Sequence, residues 1–339
     1  ISYIATIDET FSDFTALVML GTNIPGFSYT QFVSRVDGAD LRFASPDKLT
    51  PLNYQIEKWD TNGTSLVWVR IPTLSQGRSI YGYWGKSGVS ALPCTTNGTT
   101  WSSSHRSVWH LKENSGTEYY DSTTNRNTGT KGGGTTPASG GAINGAQTFD
   151  GSGDYVDCGT PANLDIPLPR TVSAWIKPSS LINYGCVAAK DSQRSGASYS
   201  YMMCCNNDGS LIAYDGATWR QSANAGISAG NWYHVAYVTP GDGYIYFYVN
   251  GNPVGSPAWT HNDNPAHNVY VGSWYSPGTG YDFNGSIDDV RVYNRALSAT
   301  EVSQLYNLGA SKYNATPTQP FTSGLVGHWT FDGKDSPWT

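Results

Sequence analysis

The sequence predicts an all-β chain of two domains, and three observations carry that reading. Charged residues make up 14% of the 339, against about 25% in an ordinary globular chain. Glycine supplies 38 residues and aromatics 13%, with 23 Tyr and 12 Trp. Only 5 of the 26 acidic residues are Glu; the others are Asp, which favours turns where Glu favours helices. A disordered chain would carry fewer aromatics and more charge, and a helical bundle more Ala, Leu, Glu and Lys. Short strands joined by Gly, Asp and Asn turns fit instead. At about 150 residues per domain, the length allows two.

Residues 1–90 read as a first domain of strands broken by turns. Leu17-Val18-Met19-Leu20, Leu41-Arg42-Phe43, Tyr54-Gln55-Ile56, Leu66-Val67-Trp68-Val69 and Ile80-Tyr81-Gly82-Tyr83-Trp84 are short, apolar and β-branched or aromatic. Residues 91–106 are small and polar, as an exposed linker is. The strand rhythm resumes over a second domain at 107–310. Thr171-Val172-Ser173-Ala174-Trp175-Ile176 is one strand, and Trp232-Tyr233-His234-Val235-Ala236-Tyr237-Val238 another. The run 244–249 meets Asn250-Gly251, a hairpin signal. One helix starts at the capping box Ser298-Ala299-Thr300-Glu301 and buries Val302, Leu305 and Tyr306. Gly309 is expected to stop it. A second linker covers 311–323, and 324–339 is an orphan strand that echoes Ser107-Val108-Trp109-His110-Leu111.

A net charge of −6 argues against a nucleic-acid partner, which needs a clustered basic surface. No apolar run reaches the length of about 18 residues that spans a membrane. The first residue is Ile, so a signal peptide is expected to have been removed or left out. Five cysteines without a C-x-x-C pattern argue against zinc and for an oxidising compartment. The sequons at Asn62, Asn97, Asn284 and Asn314 are expected by chance in a chain so rich in Asn and Thr.

Residues 107–307 resemble the laminin-G-like, concanavalin A-like family of lectin and adhesion modules. The landmarks are Trp109-His110-Leu111, Asp121-Ser122 with Gly129, Thr148-Phe149-Asp150-Gly151, Asp154-Tyr155-Val156, Ala174-Trp175-Ile176-Lys177, Trp232-Tyr233-His234-Val235, Tyr248-Val249-Asn250-Gly251 and the run from Gly285 to Ser298 around Asp288-Asp289-Val290. The resemblance implies a two-sheet antiparallel jelly-roll sandwich, often with a rim calcium. Asp37-Gly38-Ala39-Asp40, Tyr54-Gln55-Ile56-Glu57-Lys58-Trp59 and Val67-Trp68-Val69-Arg70 resemble an uncharacterised bacterial domain that precedes such modules, which implies a β-sandwich and no agreed activity. The pairing is typical of large modular surface proteins, and residues 324–333 look like the truncated start of a further laminin-G-like repeat.

Catalysis finds little support. Glu113 and Glu118 have the outer spacing of the glycosidase pattern E-x-D-x-x-E, but Ser115 replaces its aspartate and Gly116 suggests a turn. Gly85-Lys86-Ser87 has Ile80 where a phosphate loop needs glycine. A structural calcium is better placed, since it needs several hard oxygens from one loop and a neighbouring carboxylate. Asp121, Asn125 and Asn127 lie on one loop, and Asp288 and Asp289 at the head of a strand. With Val290 and Val292 inward, alternation turns Asp288 inward and Asp289 outward. The bland alternative is a set of Asn-turn hydrogen bonds.

A sugar site needs exposed rings beside polar groups. Trp219, Trp259, Trp274 and Tyr275 lie in Gly/Ser/Asn-rich segments; packing under loops is the alternative for each. Cys186 and Cys204 fall opposite each other if the intervening hairpin folds about Ser195, and a slip of one brings in Met203 or Cys205. Cys94 and Cys158 are a candidate second bridge.

Two function classes follow for an extracellular, cell-surface, non-catalytic chain. In the first it assembles head to tail with copies of itself into a fibre or layer, with Leu325, Trp329 and Phe331 seated in the next subunit. In the second the laminin-G-like domain is an adhesion module that binds glycans.

Overall fold

The computed structural model describes residues 2–3, 9–24, 26–75, 79–138, 140–191, 199–215, 218–260, 267–274, 278, 280–313 and 325–326. It is nearly all β and divides into two compact units, Ile1–Ser102 with Asn314–Thr339, and Ser103–Tyr313.

In the first unit, Ser65–Leu74 is the central strand between Phe11–Leu20 and Tyr54–Lys58, and a second three-stranded sheet places Arg42–Ala44 between Pro51–Leu52 and Tyr81–Tyr83. Val67, Trp68 and Val69 are consecutive and all fully buried, so the central strand is covered on both faces. Residues 91–102 supply part of that cover and are not the expected linker. They form a single-turn helix, Cys94–Asn97, and bring buried Trp101 to 5.5 Å from Trp68. The Trp101 indole N–H donates to Gln55 at 2.6 Å, and Thr15 donates to the Thr100 carbonyl at 3.3 Å. Small polar residues read as a linker, but their backbone groups satisfy a sheet face.

The expected orphan strand finds a partner within the chain. Leu325–Val326 pairs antiparallel with Ser2–Tyr3. Trp329 and Phe331 lie outside the described residues.

The second unit is a sandwich of two antiparallel sheets. The front sheet runs Trp219–Gln221, Leu211–Tyr214, Tyr199–Cys205, Gly185–Asp191, Val269–Val271, Tyr155–Asp157, Gly129–Gly132, Glu118–Tyr119. The back sheet runs Thr136–Ala138, Ala146–Asp150, Asn284–Tyr293, Arg170–Pro178, Tyr233–Thr239, Tyr246–Val249, Asn252–Gly255, with His105–Trp109 also paired to Asn284–Tyr293. Alternation puts Val172, Ala174 and Ile176 into the main core with Val235, Phe247, Val271 and Met203.

The other face of the Arg170–Pro178 strand carries Trp175, which Tyr306 of the Ala299–Tyr313 helix overlies at 5.7 Å. The capping box forms as expected: Glu301 N–H donates to the Ser298 hydroxyl at 3.1 Å, and Ser298 N–H to the Glu301 carboxylate at 2.9 Å. Gly309 does not end the helix, which runs on to Tyr313. A Cβ on Gly309 would come within 2.4 Å of the Trp175 ring, so glycine serves here for close approach rather than termination.

A β-bulge in Asn284–Tyr293 overturns the expected orientation of Asp288. Ser173 pairs with Arg291 but Trp175 with Asp288, so that strand holds one extra residue, and Asp289 takes a φ of 49°. Ile287, Val290 and Val292 all face the core. Asp288 therefore points away from it.

Candidate functional site

A second, smaller apolar cluster sits on the outer face of the front sheet. Cys186, Cys204 and Ile212 face one another across three strands and, with Ala189 and Met202, form its floor. Cys186 and Cys204 are joined by a disulfide. The loop it closes spans 18 residues, which is worth about 3 kcal/mol in chain entropy; replacing both cysteines by serine is expected to lower the melting temperature accordingly. Cys205 points into the main core, where burial pushes its thiol up to about 12 and leaves it unreactive. Cys94 and Cys158, the other candidate bridge, are free and buried.

On that floor lies Trp274, 1% exposed, surrounded by the half-buried rings of Tyr184, Tyr214, Trp219 and Tyr281. Tyr184 stacks on Trp219 at 4.4 Å, Trp219 meets Trp274 edge-on at 5.8 Å, and Trp274 meets Tyr281 at 4.8 Å. Tyr214 and Trp219 pair across a hairpin, 5.1 Å between rings.

Two buried aspartates tie the segments that carry four of these rings. Asp282 accepts N–H donors from Gly153 at 2.8 Å and Gly278 at 2.7 Å, and the Ser273 hydroxyl, which ties down the segment bearing Trp274 and Tyr281. Cys186 N–H adds a bond to the Tyr281 carbonyl at 2.9 Å. Asp215 accepts from Thr218 N–H at 2.8 Å and from the Arg220 guanidinium, which fixes the Tyr214–Trp219 hairpin. Rings held by satisfied carboxylates lose little freedom when a ligand stacks on them.

Of the four expected ligand aromatics, Trp219 and Trp274 come together here. Trp259 does not: it is 8% exposed and belongs to the main core. Tyr275 lies outside the described residues. Sequence reasoning missed Tyr184, Tyr214 and Tyr281, whose only signal is their placement at strand ends in turn-rich segments.

The expected calcium set is not assembled. Asp121 is fully buried and accepts five donors: Val108 N–H at 3.0 Å, Thr123 N–H at 2.9 Å, Asn127 N–H at 2.9 Å, and the Ser107 and Thr123 hydroxyls at 3.2 and 2.9 Å. A calcium loop turns oxygens inward; this one turns N–H groups inward. Asn125 and Asn127 donate their amides to the Arg106 carbonyl at 2.9 and 3.1 Å. Asp288 accepts Ile143 N–H at 2.9 Å. Asp289 contacts His110 at 2.9 Å and the Arg291 guanidinium at 2.7 Å. Among the described residues no three His, Cys, Asp or Glu are grouped to hold a metal, so calcium does not fit these residues.

Glu113 and Glu118 both bond Tyr120, through its N–H at 3.0 Å and its hydroxyl at 3.1 Å.

Residues 150–303 match the family described as the concanavalin A-like lectin/glucanases superfamily, and residues 37–128 match a domain of unknown function. No curated protein matches the chain. Among solved structures it is similar to domain 4 of an extracellular arabinanase from Geobacillus stearothermophilus, solved with arabinotriose: 23% identity over 60% of this chain and 98% of that one, TM-score 0.47. It is also similar to the receptor-binding domain of a botulinum neurotoxin C/D mosaic serotype (18% identity, 60% of this chain, 51% of that one, TM-score 0.47). A third is the binding domain of Paraclostridial mosquitocidal protein 1 (14%, 62% and 53%, TM-score 0.48). The chain spans about half the length of these two binding domains.

Proposed function

From a second unit of the concanavalin A-like lectin and glucanase superfamily, carried behind a domain of unknown function, we propose that the chain is a non-catalytic, extracellular module that binds carbohydrate on the aromatic cluster of its front sheet. The observation that carries this is the group of half-buried rings around Trp219, on an outer sheet face, with the segments bearing Tyr214, Trp219, Trp274 and Tyr281 tied by two buried carboxylates. Pyranose faces stack on such rings, and a sandwich face offers room for several sugar units. The disulfide supports an oxidising location. Glu113 and Glu118 brace Tyr120 and so fill a local structural role. The fibre-subunit reading has less support, because Leu325–Val326 pairs with Ser2–Tyr3 of the same chain.

The test is an array of neutral oligosaccharides followed by calorimetry on the best binder. Trp219→Ala is expected to weaken binding at least tenfold, about 1.4 kcal/mol, in a chain that circular dichroism shows still folded. An array without binders, or an affinity indifferent to Trp219→Ala, overturns the proposal.

A further inference from the structure

The outer face of the back sheet is chemically unlike the platform. It carries a cleft of about 760 Å3, lined by Pro137, Thr148, Lys177, Pro178, Ser179 and Ser286 among others, within the range of small-ligand sites. Its floor is set by strand register. Thr148 pairs with Ser286 and Ser286 with Lys177, while the next row, Gln147, Ile287 and Ile176, is buried. Alternation therefore turns Thr148, Ser286 and Lys177 to the same outer side, all three half-buried. The Thr148 and Ser286 hydroxyls lie 3.4 Å apart, so the pair shares one hydrogen and keeps a further donor and lone pairs for a ligand.

Lys177 is the single charged group of the lining, and no carboxylate lines the cleft. Among the described residues none forms an ion pair with its ammonium. In a chain of net charge −6, an unpaired lysine in an otherwise neutral concavity makes a local site for an anion. The neighbouring hydroxyls suit an anion that itself carries hydroxyl groups.

We propose that this cleft is a second sugar site, separate from the aromatic platform and independent of it, that takes a glycan bearing a carboxylate. The Lys177 ammonium meets the carboxylate of a uronate residue. The Thr148 and Ser286 hydroxyls bond the ring hydroxyls beside it.

The probe is a galacturonate trisaccharide, compared by calorimetry on the whole chain with the galactose trisaccharide that differs only at C6. The acidic sugar is expected to bind at least tenfold tighter, and to weaken several-fold between 0.05 and 0.5 M salt as screening sets in. Lys177→Gln is expected to erase the difference between the two sugars, and Lys177→Arg to keep most of it. Trp219→Ala is expected to leave binding of the acidic sugar unchanged, which separates this site from the platform. Equal affinity for both sugars, absence of binding by either, or a preference that survives Lys177→Gln overturns the proposal. Loss of acidic-sugar binding in Trp219→Ala overturns it too, by assigning that binding to the front sheet.

Discussion

Between pH 6.5 and about 3 the second unit is expected to lose up to tenfold in its folding equilibrium constant for each pH unit, with His234 as the cause. The imidazole is 3% exposed, beside the Trp175 ring at 5.4 Å. Burial, then the charge of Arg291, hold its pKa down at about 3 against an ordinary 6.5, with Asp289 opposing. In that window the unfolded chain binds a proton that the folded chain does not, so stability rises with pH. The contribution is complete above pH 6.5 and declines as pH falls toward 3. Asp289 acts in the same direction at lower pH. Burial alone would raise its pKa, but Arg291 and His110 pull it to about 2, so its contribution is present above 3.8 and lost as pH falls through 2. Urea unfolding from pH 4 to 8 measures the slope, and His234→Gln is expected to flatten it above pH 4. An unchanged slope in that variant rules His234 out.

Replacing Asp121 by alanine is expected to cost about 4 kcal/mol or more. The five donors that converge on its carboxylate include three backbone N–H groups. Each donor left buried without an acceptor costs about 1–3 kcal/mol. For a unit of this size the loss lowers the melting temperature by about 10 °C. Asp121→Asn, which keeps one oxygen, is expected to fall between the two. EDTA and added calcium are expected to leave the melting temperature of the unaltered chain where it is. A drop with EDTA as large as that from Asp121→Ala would mean that a cation, not the N–H donors, satisfies this carboxylate.

The sequence carried most of the strands and the helix start, because those signals are local. Alternation in Thr171 to Ile176 and the Ser298–Glu301 box depend on neighbours within four residues, and both appear as expected. What escaped depends on contacts distant in sequence. The bulge at Asp289 inserts one residue that no alternation rule anticipates, and it turns Asp288 from the inner to the outer side. Gly309 reads as a stop until Trp175, far off in sequence, is seen beneath it. Trp259 and Trp219 occupy similar turn-rich segments, yet one enters the core and the other an outer face. Asp282 has no motif; its role emerges only when Gly153, far off in sequence, is brought to it.

The adjacent cysteines on the Tyr199–Cys205 strand have a consequence for biogenesis. Cys204 faces the ring cluster and Cys205 the main core. Joining Cys186 to Cys205 instead would move the strand by one position and exchange its two sides: Met202 would turn toward the core, and Tyr201 and Met203 outward. The two isomers have the same mass and the same number of bridges, but only one has the floor on which Trp274 rests. During oxidation the choice between neighbouring thiols therefore decides whether the outer ring cluster forms at all. An oxidoreductase that reopens the wrong bridge would be selecting for the architecture of that outer face as well as for stability.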